Sequence, residues 1–145
     1  MKSKEWAAFR ARASAANVNV GWANFYINWR FPIGIFFSLA YCLMPLTEWM
    51  ENKAIAGYRL NFPLVIVNAA SLIATAIVYA SMKKLDHYGY TLNMYYLAVT
   101  PFFMCMTTEI KLDTTTVIRF AIYFVIWTIP NYIYFKKREQ LFINS

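Results

Sequence analysis

Long apolar runs alternate with short polar breaks along this chain. Four runs approach the roughly 20 helical residues needed to cross a bilayer core about 30 Å thick. They extend from Trp22 to Leu46, Leu60 to Met82, Tyr90 to Met106 and Val117 to Phe135. Residues 31–46 and 60–82 contain no charge at all. The runs lack the inside–outside alternation of barrel strands and the broad polar face of a soluble bundle helix. The pattern therefore predicts an all-α, integral membrane four-helix bundle. The third run is the shortest, and could cross with little tilt, thin the bilayer locally, or re-enter on the same side.

The breaks carry helix punctuation. Pro32 is placed in the early turns of the first span and Pro63 in the first turn of the second, where a missing N–H costs least. The turn Lys83 to Tyr90 holds Gly89, a residue suited to a helix C-terminus. In the break 107–116, Asp113 and the threonines after it are candidate N-caps for the fourth span. Three regions result: an N-terminal cytoplasmic or interfacial segment (1–21), the transmembrane domain (22–135) and a basic tail (136–145). Within the first, Trp6, Phe9 and Ala13 recur at helical spacing among Lys4, Arg10 and Arg12. That spacing suits a short amphipathic helix on the membrane surface, with a frayed alanine-rich tail as the alternative. The Phe-Pro pairs at 31–32 and 62–63 form a faint echo, too short to argue for an internal repeat.

Composition agrees with the pattern. The 145 residues are 60% hydrophobic and 14% charged, against about 45–50% and 25% in soluble domains. So much apolar surface excludes a soluble globule of this size. The formal net charge is +7, which in a soluble chain would suggest nucleic acid. Here the basic residues cluster at span ends, where topology and anionic lipid explain them, and no nucleic-acid partner is expected. No apolar signal region precedes residue 22, so insertion is expected to depend on the first span. Ten Lys and Arg fall on the side shared by both termini and the 83–90 turn, and four on the other side (Lys53, Arg59, Lys111 and Arg119). The imbalance predicts cytoplasmic termini. Trp22, Tyr26, Trp49, Tyr58, Tyr88 and Tyr132 fit aromatic belts at the two interfaces.

Candidate chemistry is sparse. No Asp, Glu, His or Lys lies deep in a span, which disfavours proton coupling through a buried carboxylate. Arg30 and Arg119 lie nearer the bilayer, and each can snorkel to its own interface. The functional alternative is that Arg30 grips an anion, a lipid headgroup or a partner's carboxylate. Asn28, Asn68, Thr75 and Asn131 belong to polar stripes that either bridge helices by hydrogen bonds or line a narrow pathway. These six residues are the candidate binding set. Small-residue pairs at Gly34/Ser38 and Ala70/Ala74 favour close helix packing. Cys42 and Cys105 are expected as two buried free thiols, with a single disulfide the alternative if the two span ends adjoin on an oxidising side. His87 beside Asp86 has no further ligand or nucleophile nearby, so a solvated loop is expected. No catalytic residue, metal site or cofactor is expected.

Three stretches resemble uncharacterised small four-span bacterial membrane proteins. They are Tyr26-Ile-Asn-Trp-Arg-Phe-Pro-Ile-Gly-Ile, Lys83-Lys-Leu-Asp-His-Tyr-Gly-Tyr-Thr-Leu-Asn and Pro130-Asn-Tyr-Ile-Tyr-Phe-Lys-Lys-Arg-Glu-Gln-Leu-Phe. The resemblance implies the bacterial cytoplasmic (inner) membrane and supplies no activity. The sequence reading is thus a non-enzymatic multi-pass protein acting through a protein partner, as an accessory subunit or immunity-type protein. Its partners would be the lipid bilayer and another membrane protein or further copies of itself. A small oligomeric channel or transporter is the alternative.

Overall fold

A computed structural model describes residues 3–143. All regular structure in the described residues is helical: α1 (Ser3–Ala15), α2 (Gly21–Asn52), α3 (Phe62–Met82), α4 (His87–Cys105) and α5 (Thr114–Lys136), then one 3-10 turn at Glu139–Leu141. Three of these helices, α2, α3 and α5, are long and apolar enough to cross a membrane. At 1.5 Å per residue, the 19 residues of α4 reach about 28 Å, but its polar content is higher, with buried Asn93 and Thr100. Large apolar side chains such as Phe36, Ile73, Val125 and Ile126 point outward from the helices. Water would penalise that surface and lipid would not.

Caps set several boundaries. Asn61 accepts from the Leu64 N–H and Pro63 occupies the first turn of α3. Asp86 accepts from the Gly89 N–H at 2.7 Å, and Asp113 from the Thr116 N–H at 2.8 Å. Asp113 therefore caps the last long helix as its sequence position suggests. Gly89 does not end a helix: it lies in the first turn of α4, and a Cβ there would run into the Ser81 carbonyl. Glycine is needed for close approach of two backbones. The positive φ in this turn belongs to Leu85 instead (54°).

Pro32 also departs from expectation, because α2 begins at Gly21 and the proline falls well inside it. A proline ring collides with the carbonyl four residues back and removes one helical N–H. The helix responds by widening into a π turn over Tyr26–Arg30, with the Phe31 N–H bonded to the Tyr26 carbonyl. The same happens before Pro130, where Phe124–Thr128 is a π turn closed by the Ile129 N–H on the Phe124 carbonyl. Pro63, by contrast, only starts a helix. The Phe-Pro echo between 31–32 and 62–63 therefore has no structural counterpart.

The four long helices pack side by side, with α2 against α3, α4 and α5. Helix α1 and the segment that follows α5 meet at one end of this bundle. Phe9 and Ala13 of α1 are buried there, and Phe9 meets Phe142 with ring centroids 5.1 Å apart. Arg12 Nε donates to the Leu141 carbonyl at 3.0 Å. So 3–15 is the helix that the Trp6, Phe9, Ala13 spacing suggests, but the chain's own C-terminal segment covers its apolar stripe. Tyr90 also stacks near Phe142, 5.4 Å between centroids, which brings the α3–α4 turn to the same end.

Candidate functional site

Arg30 is a half-buried cation set among aromatic side chains of the packed helices. It closes the π turn of α2 and extends its guanidinium toward Gly34, one turn further along the helix: a Cβ at Gly34 would lie 3.9 Å from Arg30 Nη1. The guanidinium therefore points along α2 away from its N-terminal end. Four aromatic rings surround the guanidinium carbon. Their centroids lie 5.0 Å (Trp127), 5.2 Å (Phe31), 5.4 Å (Tyr96) and 5.5 Å (Tyr26) away. Ring faces of this kind attract a cation within about 6 Å.

The two π turns build this cage. One carries Tyr26 and Arg30, and the other carries Trp127. The Tyr26 and Trp127 rings stack 6.1 Å apart with an 18° interplanar angle. Tyr26 is fully buried and its hydroxyl donates to Asn93 Oδ1 at 2.9 Å. It is a core residue, contrary to its placement in an interfacial belt. π turns inside α-helices recur at functional sites because they re-aim side chains, and here two of them converge on one charge.

Hydrogen bonds fix the rest of the geometry. Arg30 Nη1 donates to Tyr96 Oη at 3.3 Å. Tyr96 Oη lies 2.8 Å from Thr75 Oγ1, which donates to the Ser71 carbonyl at 2.7 Å. A carbonyl only accepts, so Thr75 is the donor to Ser71 and Tyr96 the donor to Thr75. The Tyr96 oxygen then presents its lone pair to Arg30. The chain Arg30–Tyr96–Thr75–Ser71 runs in one direction and links α2, α4 and α3.

Beside the guanidinium lies an open cleft of about 150 Å³. Its lining runs down one stripe of α2 (Arg30, Gly34, Ser38, Tyr41) and one of α4 (Tyr96, Thr100, Phe103), with Ser71 from α3 and Thr107 from the break after α4. Arg30 sits at one end and Thr107, beyond the C-terminus of α4, at the other. No acidic residue lines it. Among the described residues the ion pairs are Lys111–Asp113 and Lys136–Glu139, so Arg30 has no carboxylate within ion-pairing distance.

Of the candidate binding residues, Arg30 and Thr75 meet in this network. Asn28 donates to Asn24 Oδ1 of its own helix at 2.6 Å and, among the described residues, makes no side-chain bond to another helix. Asn68 is buried and ties the Leu64 carbonyl to that of Thr107, a bridge between α3 and the break after α4. Asn131 accepts from Trp22 Nε1 at 2.8 Å and donates to the Trp127 carbonyl, which supports the cage from behind. Arg119 is exposed and apart from the cleft. Cys42 and Cys105 are both free thiols, but only Cys105 is buried as expected, Cys42 being half-buried. Tyr26, Phe31, Tyr96 and Trp127 were absent from the candidate set. The signal in the chain was an arginine flanked by aromatics at i−4 and i+1, whereas Tyr96 and Trp127 come from other helices. No protein-family model matches the chain, and no significant similarity to a curated protein or to a solved structure is found.

Proposed function

We propose that this is a four-span protein of the bacterial inner membrane, with both termini cytoplasmic, that works without catalysis by binding a membrane partner. The partner would be another membrane protein or a further copy of the chain. One observation carries this reading: Arg30 is a permanent cation, half-buried between the helices, with no carboxylate in ion-pairing distance among the described residues. A charge partly withdrawn from solvent with no counter-ion beside it carries a cost. Ring faces offset part of that cost, and a carboxylate brought from outside offsets far more. The test is co-purification from membranes with wild type, Arg30→Lys and Arg30→Gln. A partner retained by wild type and lost from Arg30→Gln at unchanged thermal stability supports the proposal. Equal retention by all three removes Arg30 from the interaction.

The polar groups along the cleft, Ser38, Ser71, Thr100 and Thr107, favour a second reading, a small oligomeric channel or transporter. Ion or solute flux into liposomes that carry only this protein, abolished by filling the cleft, would replace the first reading with the second.

A further inference from the structure

We propose that the floor of the α2–α4 cleft is a binding site for a single carboxylate, held in a forked pair of hydrogen bonds by Arg30. The inference rests on the reading that Arg30 receives an acidic group, and it names that group's chemistry. Four neighbouring rings lie within 5.5 Å of the Arg30 guanidinium carbon, and Tyr96 occupies one Nη1 hydrogen. Arg30 makes no other side-chain hydrogen bond among the described residues, although a guanidinium has five N–H groups in a planar fork. That fork matches a carboxylate.

The cleft also selects by charge and shape. It holds one cation and no second Lys or Arg, which suits a monoanion better than a phosphate monoester dianion. Phe37, Tyr41, Phe103 and Met104 supply an apolar wall for the carbon skeleton of the acid. A space of about 150 Å³ is the size of an engineered cavity that admits one benzene, so the group is small. Arg30 lies at the level of Tyr96, the middle residue of α4, and of Thr75, well inside α3. Lipid headgroups sit at the bilayer surface, so that depth argues against a phospholipid. Two sources of the carboxylate remain: a free small acid, or an Asp or Glu side chain on a partner helix.

Benzoate is the probe. The full chain, in nanodiscs of zwitterionic phosphatidylcholine, is titrated with ¹³C-labelled benzoate and, separately, with neutral benzamide. Wild type should bind benzoate saturably and not benzamide. Arg30→Gln should bind at least about tenfold more weakly, as expected for loss of a charge-assisted hydrogen bond. Arg119→Gln should bind like wild type. Because Arg30→Gln could also loosen the cage, Ser38→Phe provides a second arm that obstructs the cleft and leaves Arg30 in place. It too should lose benzoate. No saturable binding to folded wild type, equal binding by Arg30→Gln, or equal binding of benzamide each overturns the proposal. A photocrosslinker at Tyr41 then separates the sources. Crosslinks to a protein that benzoate displaces assign the carboxylate to a partner side chain. Benzoate binding with no such crosslink assigns it to a free acid, which keeps the site and removes the partner reading.

Discussion

A methyl group added to Gly89 and one added to Gly34 meet different surroundings. At Gly89 the obstacle is the Ser81 backbone, which the helix holds in place. At Gly34 it is Thr75 Cγ2 at 3.8 Å, an ordinary contact. Gly89→Ala is therefore expected to cost about 1–3 kcal/mol, as overpacking does. Gly34→Ala should be close to neutral. Thermal unfolding of both in one detergent checks the pair. Arg30 shows the limit of residue-level reading. A lone arginine near a span end is reasonably expected to snorkel, and its own sequence neighbours Tyr26 and Phe31 supply two sides of its cage. The other two sides come from residues 66 and 97 positions away, which no local pattern contains.

Helices are shaped here by their prolines and caps. Pro130→Ala restores a helical N–H and removes an interior proline that costs roughly 3 kcal/mol, so stability should hold or rise. The π turn should then tighten and swing Trp127 off Arg30. Benzoate affinity should fall while the unfolding temperature does not, and loss of both together would show that the π turn is needed for folding instead. At the start of α5, the Thr116 backbone N–H, the Thr116 hydroxyl and Lys111 hold the Asp113 carboxyl below its ordinary 3.8, at about 2. A depressed carboxylate pKa stabilises the fold above the unfolded value, and that contribution is lost as pH falls through the folded value. The cap should thus hold at pH 5 and weaken between about pH 4 and pH 2. Asp113→Asn keeps an acceptor and should flatten that pH dependence, which unfolding temperatures across the range would show. Asp113 was recognisable as a cap because the signal lies within four residues. The π turns were not, since α2 starts far enough before Pro32 to make that proline interior.

At the scale of the whole molecule, α1 and the C-terminal segment close one end of the bundle through Phe9, Phe142 and the Arg12–Leu141 hydrogen bond. Phe9 is fully buried, so Phe9→Ala should cost about 3–5 kcal/mol. A helix lying on lipid would tolerate that change, and denaturation of the detergent-solubilised variant separates the two. The proposed orientation makes its own prediction. A periplasm-active reporter fused after Ser145 should be silent and one inserted near Asn52 should be active. The reverse pattern would invert the topology.

The apolar runs by themselves determined that the chain is helical and pointed to four spans, of which three are helices long and apolar enough to cross a membrane. Hydrocarbon requires every backbone polar group to be satisfied within the element, and a long uncharged run is the direct signature of that demand. Local chemistry likewise determined the caps at Asp113 and the helix start at Pro63. What surrounds Arg30 was decided only by tertiary structure. Which way a long side chain turns depends on the free energy offered by groups on other helices, and Tyr96, Thr75 and Trp127 reach it only when α3, α4 and α5 pack against α2. The same holds for Phe9, whose helical stripe is visible in sequence but whose covering partner, Phe142, lies at the far end of the chain.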